Sequence, residues 1–183
     1  MRDAGYKEWV VHAAIATLLW SVLYRLNDWI FASIEVSSFV CWIFLPAAIR
    51  LLTVLVMGPA AAAGLMLGTF LTSNPIYGFN FIENAAFSVL SGAGPLIAVA
   101  VCIRMLRLPD DLAGLSPLHL LVFSLIGAVC NVIPHTLLLL ALGKIEDLYA
   151  NATPMFVGDI TGTLIVLYIA KAFIPKHDKS TSA

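Results

Sequence analysis

The sequence predicts an all-α integral membrane protein, a polytopic bundle of about six transmembrane helices with both termini cytoplasmic. Three observations carry that reading. Hydrophobic residues make up 61% of the 183 positions and charged residues 11%, against about a quarter charged in soluble domains, so a water-soluble fold of this size could not cover its surface. The apolar sequence also divides into runs close to the roughly 20 residues that a spanning helix needs. Finally, Arg2, Lys7, Arg104, Arg107, Lys171, Lys176 and Lys179 fall on one side of the resulting topology. Only Arg25 and Lys144 fall on the other, and Arg50 lies within a span. The positive-inside rule then places the termini in the cytoplasm and favours an even number of spans.

The first span covers residues 9–26 and is closed by Arg25, Asn27 and Asp28. Its start behind Arg2 and Lys7 loosely resembles a signal peptide, but it lacks a small-x-small cleavage site and is read as a retained helix. Residues 29–36 are too short to cross and carry Glu35, which predicts an interfacial or re-entrant piece. The second span follows at 37–57, with Pro46 expected to kink it. Gly58 and Pro59 form a tight turn into a short third span ending near Ser73, and residues 72–80 read as a loop. The fourth span, 81–106, is expected to be interrupted by Ser91, Gly92, Ala93, Gly94 and Pro95, a cluster tolerated at depth where protein or a wet cavity satisfies the backbone. A loop at 107–116 leads to a fifth span at 117–142, a loop at 143–154 and a sixth span at 155–174. Residues 1–174 thus form one transmembrane unit, and the polar stretch 175–183 is expected to be a disordered tail.

Several function classes find no support. A net charge of -1 and the absence of a basic tract give no footprint for nucleic acid. No phosphate-binding glycine loop, H-E-x-x-H or G-x-S-x-G motif occurs, so no catalytic residue and no cofactor is expected. Ser88 and Ser91 beside His135 could tempt one toward a serine–histidine dyad, but nothing in the spacing demands it. Cys41, Cys102 and Cys130 lie in apolar runs without a C-x-x-C pair and read as small packed hydrophobes. No second His or Cys stands at ligand spacing from His135, so no metal is expected. Asn151, Ala152 and Thr153 have the form of a glycosylation sequon, followed directly by Pro154.

Function is best sought among the polar residues at depth, because each buried charge costs about 2.5–3.5 kcal/mol on insertion scales and so needs a partner or a wet cavity. Arg50 lies about seven residues inside its span. Three readings stand open for it: a structural ion pair, snorkelling to the surface, and direct contact with an anionic ligand. Asp159, between Gly158 and Gly162, is its candidate partner. Ser124, Gly127, Asn131 and His135 form a small and polar stripe on one helical face. Glu35, Glu83, Asn84, His135 and Asp159 all belong to the outer half and could line an outward-facing cavity, with interfacial solvation the plainer reading for Glu35 and Glu83. Ala60, Gly64 and Gly68, and separately Gly158 and Gly162, recur every four residues and offer faces for close backbone approach, within the bundle or in a homodimer.

Three stretches resemble the first type of bacterial membrane-associated sensor domain, the MASE family. Phe44-Leu45-Pro46-Ala47-Ala48-Ile49, leading to Gly58, resembles its W-P-P-A-G-I helix. Gly92-Ala93-Gly94-Pro95 leading to Arg104 and Arg107 resembles its fourth helix. Gly158-Asp159-Ile160-Thr161-Gly162-Thr163-Leu164 matches its G-D-x-x-G-x-L pattern. Phe44, Leu45, Ala48 and Arg50 depart from the family's residues at their positions. The resemblance implies a sensory or signal-receiving subunit of the cell inner membrane. With no output module after Ile174, it implies a stand-alone protein that acts through a partner such as a histidine kinase or diguanylate cyclase, with Asp159 the residue carried over. Six short helices with glycine-rich breaks also resemble the substrate-capture components of energy-coupling factor transporters.

Overall fold

The computed structural model describes residues 5–31, 33, 35–37, 40–106 and 117–173. Arg2, Arg107, Lys176 and Lys179, the 107–116 loop and the 175–183 tail lie outside them, as does the side chain of Glu35. The described residues form six helices, α1 (Tyr6–Phe31), α2 (Pro46–Met57), α3 (Pro59–Tyr77), α4 (Phe81–Leu106), α5 (Pro117–Ala141) and α6 (Leu148–Phe173). A hairpin of β1 (Glu35–Ser37) and β2 (Val40–Cys41) joins α1 to α2. Four of the helices, α1, α4, α5 and α6, are long and apolar enough to cross a membrane. Their outward faces carry Leu18, Val22, Ile97, Ile133, Leu137 and Ile169, while Asn27, Arg50, Asn84, Asn131, His135 and Asp159 are buried. This inverts the soluble pattern and suits a lipid surround.

The chain between the first and third helices departs most from the sequence reading. Helix α1 does not stop at Asn27 and Asp28 but runs on to Phe31, so residues 29–31 are helical rather than a separate interfacial piece. Asn27 is buried, and its Oδ1 accepts the Leu45 amide at 2.9 Å. The expected span at 37–57 is a helix only from Pro46. Proline lacks the N–H that an upstream turn would require and its ring would meet the carbonyl four residues back, so it starts α2 instead of kinking a longer helix. Twelve residues at 1.5 Å each make α2 about 18 Å long, little more than half a hydrocarbon core of about 30 Å.

Residues 42–45 precede α2; the Phe44 and Leu45 carbonyls accept the Ala47 and Ala48 amides of its first turn, and other elements bond much of the rest of their backbone. Phe44 donates its amide to the Gly158 carbonyl at 3.0 Å, and Thr161 Oγ1 donates to the Trp42 carbonyl at 2.9 Å. A Cβ on Gly158 would strike the Cys41 carbonyl, and one on Gly162 the Phe44 carbonyl. The small face of α6 therefore seats an irregular strand of this same chain, which is the condition under which non-helical backbone is tolerated at depth.

The remaining elements follow from local chemistry. Gly58 takes φ +66° in the turn between α2 and α3. Helix α3 continues past Ser73 to Tyr77, through residues read as loop, and ends at Gly78 in the left-handed conformation. Helix α4 is continuous across residues 91–95. Its glycines serve close packing, Gly92 against the Ala62 carbonyl and Met66, Gly94 against the Cys130 carbonyl. Helix α6 begins at Leu148, seven residues before Met155, because Asp147 Oδ1 caps it by accepting the amides of Tyr149 at 2.8 Å and Ala150 at 3.1 Å. Asp147→Ala should lower stability by about 1 kcal/mol, read as a small fall in thermal midpoint in detergent; an unchanged midpoint would show that the cap contributes nothing.

Helices α1, α3, α4, α5 and α6 pack as successive neighbours, and α2 touches all five. Gly64 and Gly68 of α3 lie against Ala13, Thr17 and Trp20 of α1, so that small-residue face is used within the chain, with Ala60 buried on the same helix. The apolar core gathers around α2 and includes Ala16, Leu51, Val54, Ala61, Leu65, Cys102 and Phe123. Since α2 is short and central, the bundle has an axial helix in one half only. The other half, at the hairpin end, is where the polar side chains collect.

Candidate functional site

Beside α2, at its hairpin end, lies a cavity of about 50 Å³. Its wall takes side chains from every helix: Trp20 and Tyr24 from α1, Arg50 from α2, Thr69, Thr72 and Ser73 from α3, Phe87 and Ser91 from α4, His135 from α5, and Met155 and Asp159 from α6. Cys41 and Phe44 complete it.

Arg50 and Asp159 form the floor. Arg50 Nη2 donates to Asp159 Oδ1 at 2.9 Å, Arg50 Nη1 donates to Asn131 Oδ1, and Asn131 Nδ2 donates to Asp159 Oδ2 at 2.7 Å. The three groups close a ring, with residue exposures of 4%, 3% and 3% for Arg50, Asn131 and Asp159. Arg50 therefore does not snorkel; its guanidinium is held inside, 5.6 Å from the Trp20 ring centre and 5.3 Å from that of Phe44. A smaller void of about 10 Å³ is bordered by Ala47, Pro95, Gly127, Asn131 and Thr163, and Arg50 and Asp159 line both.

His135 stands one helical turn above Asn131. Its Nδ1 lies 2.8 Å from the Asn131 carbonyl, which can only accept, so Nδ1 carries a proton. Nε2 lies 3.1 Å from Ser91 Oγ, whose one hydrogen is shared between this nitrogen and the Phe87 carbonyl at 3.2 Å. The fold thus brings together a serine and histidine whose spacing did not require it. The amides around Ser91 belong to a continuous helix, which leaves none of them as oxyanion donors at that hydroxyl. His135 also meets Phe87 edge to face, with ring centres 4.6 Å apart.

Three of the candidate residues sit outside this wall: Asn131, which borders the smaller void, Glu83 and Asn84. Glu83 and Asn80 exchange backbone-to-side-chain hydrogen bonds at 3.0 Å in a capping box at the start of α4, and Glu83 pairs with Lys144 at 3.4 Å. Asn84 is fully buried, donates to the Phe70 carbonyl at 2.9 Å and accepts from Ser73 at 2.6 Å, tying α3 to α4. On the α5 stripe, Ser124 donates to its own helix at Leu120 and Gly127 lies against Leu51. Among the described residues no group of three His, Cys, Asp or Glu is placed to hold a metal ion.

The sequence reading did not single out the aromatic and hydroxyl wall. Trp20 stacks on Tyr24 at 5.7 Å, and Phe44 meets both edge-on at 6.1 and 6.2 Å. Helical hydroxyls elsewhere bond the carbonyl four residues back, as Thr53, Thr72, Ser73, Ser88 and Thr136 do. Thr69 Oγ1 does not: among the described residues it is the buried side-chain polar atom without a hydrogen-bond partner. An unmet buried hydrogen bond costs about 1–3 kcal/mol. Thr69, Thr72 and Ser73 recur at three and four residues on an apolar helix, the same signal that marked the α5 stripe.

Comparisons with family models, curated proteins and solved structures find no match in any of the three. The resemblance to membrane-associated sensor domains rests on its three motifs, two of which, around Phe44 and Asp159, contribute to the cavity wall.

Proposed function

We propose that the chain is a multi-pass protein of the bacterial inner membrane, crossing six times with both termini cytoplasmic. In this reading it is a sensory or signal-receiving subunit that binds a small molecule in the cavity and passes the change to a partner such as a histidine kinase or diguanylate cyclase. The observation that carries this reading is the wall itself, to which all six helices contribute. An occupant touches every helix at once, so its binding free energy can bias how they pack, as a ligand-driven shift between conformations requires. The placement of the basic residues supports the orientation, and the MASE resemblance supports the sensory role.

A second reading, a substrate-capture subunit of a small-molecule transporter, is favoured by the discontinuous second pass, whose half-length helix begins beside the cavity. Transporter sites are commonly built from such broken helices near mid-depth. Affinity purification from native membranes in mild detergent, with mass spectrometry of proteins and released small molecules, separates the two. A co-purifying kinase or cyclase is the expected result. An ATPase pair with a stoichiometric metabolite would replace the sensory reading with the transporter one, and recovery of neither class would overturn both.

A further inference from the structure

We infer that the cavity takes an uncharged, largely flat apolar molecule with one hydrogen-bonding group, the class of indoles, naphthols and quinone headgroups, and that Thr69 Oγ1 receives that group. This rests on the reading of the cavity as a ligand site. Three features of the wall select the class.

The charges in the wall already neutralise each other. The Arg50 guanidinium is paired with the Asp159 carboxylate, with Nη2 bonded to it and Nη1 to Asn131, so an anionic ligand would bring a second negative charge to a pair that is already neutral and would compete with Asp159 for its counter-ion. A cationic ligand would meet the Arg50 guanidinium, which already occupies the faces of Trp20 and Phe44.

The body of the site is aromatic. The rings of Trp20, Tyr24, Phe44 and Phe87 line it, and flat apolar molecules pack against such rings in stacked or edge-to-face contact.

One polar group is left over. Thr72 donates to the Gly68 carbonyl and accepts from Trp20 Nε1 at 3.1 Å. Ser73 is engaged by the Thr69 carbonyl and Asn84, and Ser91 by His135. Thr69 Oγ1, on a residue 1% exposed, has none. A ligand that supplies a single hydroxyl, carbonyl or ring N–H there completes the hydrogen bonding of the wall.

The test is calorimetric titration of the purified full-length protein in lipid nanodiscs with 1-naphthol and indole, against the anion 1-naphthoate and the cation 1-naphthylmethylammonium. The neutral probes should bind at least about tenfold tighter than either charged one. Thr69→Val, which keeps the shape and removes the hydroxyl, should weaken 1-naphthol by about tenfold without lowering the thermal midpoint. Thr69→Ser should keep the parental affinity. Equal or tighter binding of a charged probe that still depends on Thr69 would overturn the ligand class and leave the ligand-site reading standing. Absence of any Thr69-dependent binding, as if water alone met that hydroxyl, would overturn both.

Discussion

Asp159→Asn should destabilise the protein by about 3–5 kcal/mol, the cost of leaving a buried charge without its counter-ion. Arg50 would keep the Asn131 oxygen as an acceptor but lose the only carboxylate within ion-pair distance of it among the described residues. At 4% exposure the guanidinium is held inside the bundle and not at its outer surface. Replacing both charges, Arg50→Leu with Asp159→Leu, should recover much of the loss, since an apolar pair of similar volume needs no counter-ion. Adding Asn131→Leu should recover more, because the double variant strips both partners from the Asn131 amide. Thermal or denaturant midpoints in a fixed detergent measure the series, and the deviation from additivity gives the coupling. A single Asp159→Asn variant that melts with the parent would show that the ring does not hold the helices together.

Gly162→Ala should have the second-largest effect, about 3 kcal/mol, at the upper end of the range for overpacking. The added methyl would run into the Phe44 carbonyl and the Leu45 amide. These are backbone atoms, fixed by Phe44 bonding to Gly158 and Leu45 to Asn27, so neither can turn aside as a flexible side chain would. Relief requires lifting residues 42–45 off α6, which also withdraws Phe44 from the cavity wall. The variant should therefore lose both thermal stability and 1-naphthol binding. Gly5→Ala, where a methyl meets nothing within 4 Å, is the matched control and should change neither. Parental stability in Gly162→Ala would mean that residues 42–45 are not seated on α6 as described.

The legible and illegible parts of the fold divide along a physical line. The extents of α4 and α5 could be read almost to the residue, because a long apolar run bounded by polar or proline signals has one regular solution in a membrane. Arg50 and Asp159 were conspicuous for the same reason, since a charge in an apolar run needs a partner. Signals with two meanings misled. The 91–95 cluster has the composition of a break, yet its glycines bring α4 against α3 and α5. Pro46 has the look of a kink, yet it opens a helix. Asn27 and Asp28 look like a helix end, yet Asn27 is the anchor for Leu45. For the glycines and for Asn27 the deciding partner lies on another element, and the chain ahead of Pro46 is held by one 119 positions away, Thr161 on Trp42.

By itself, then, the sequence determined a helical chain built for a membrane, with apolar outer faces, small-residue packing positions and a pair of charges that had to meet. Only the tertiary structure decided that the segment ahead of α2 is irregular chain and not helix, that the small face of α6 seats that chain, and that the cavity beside α2 is aromatic with one unmet hydroxyl. The reason is that periodicity reports which face of a regular helix is buried, whereas non-helical backbone at depth persists only where distant groups supply its hydrogen bonds. Those groups, the Gly158 carbonyl, the Thr161 hydroxyl and the Asn27 amide oxygen, carry no local pattern that announces the role.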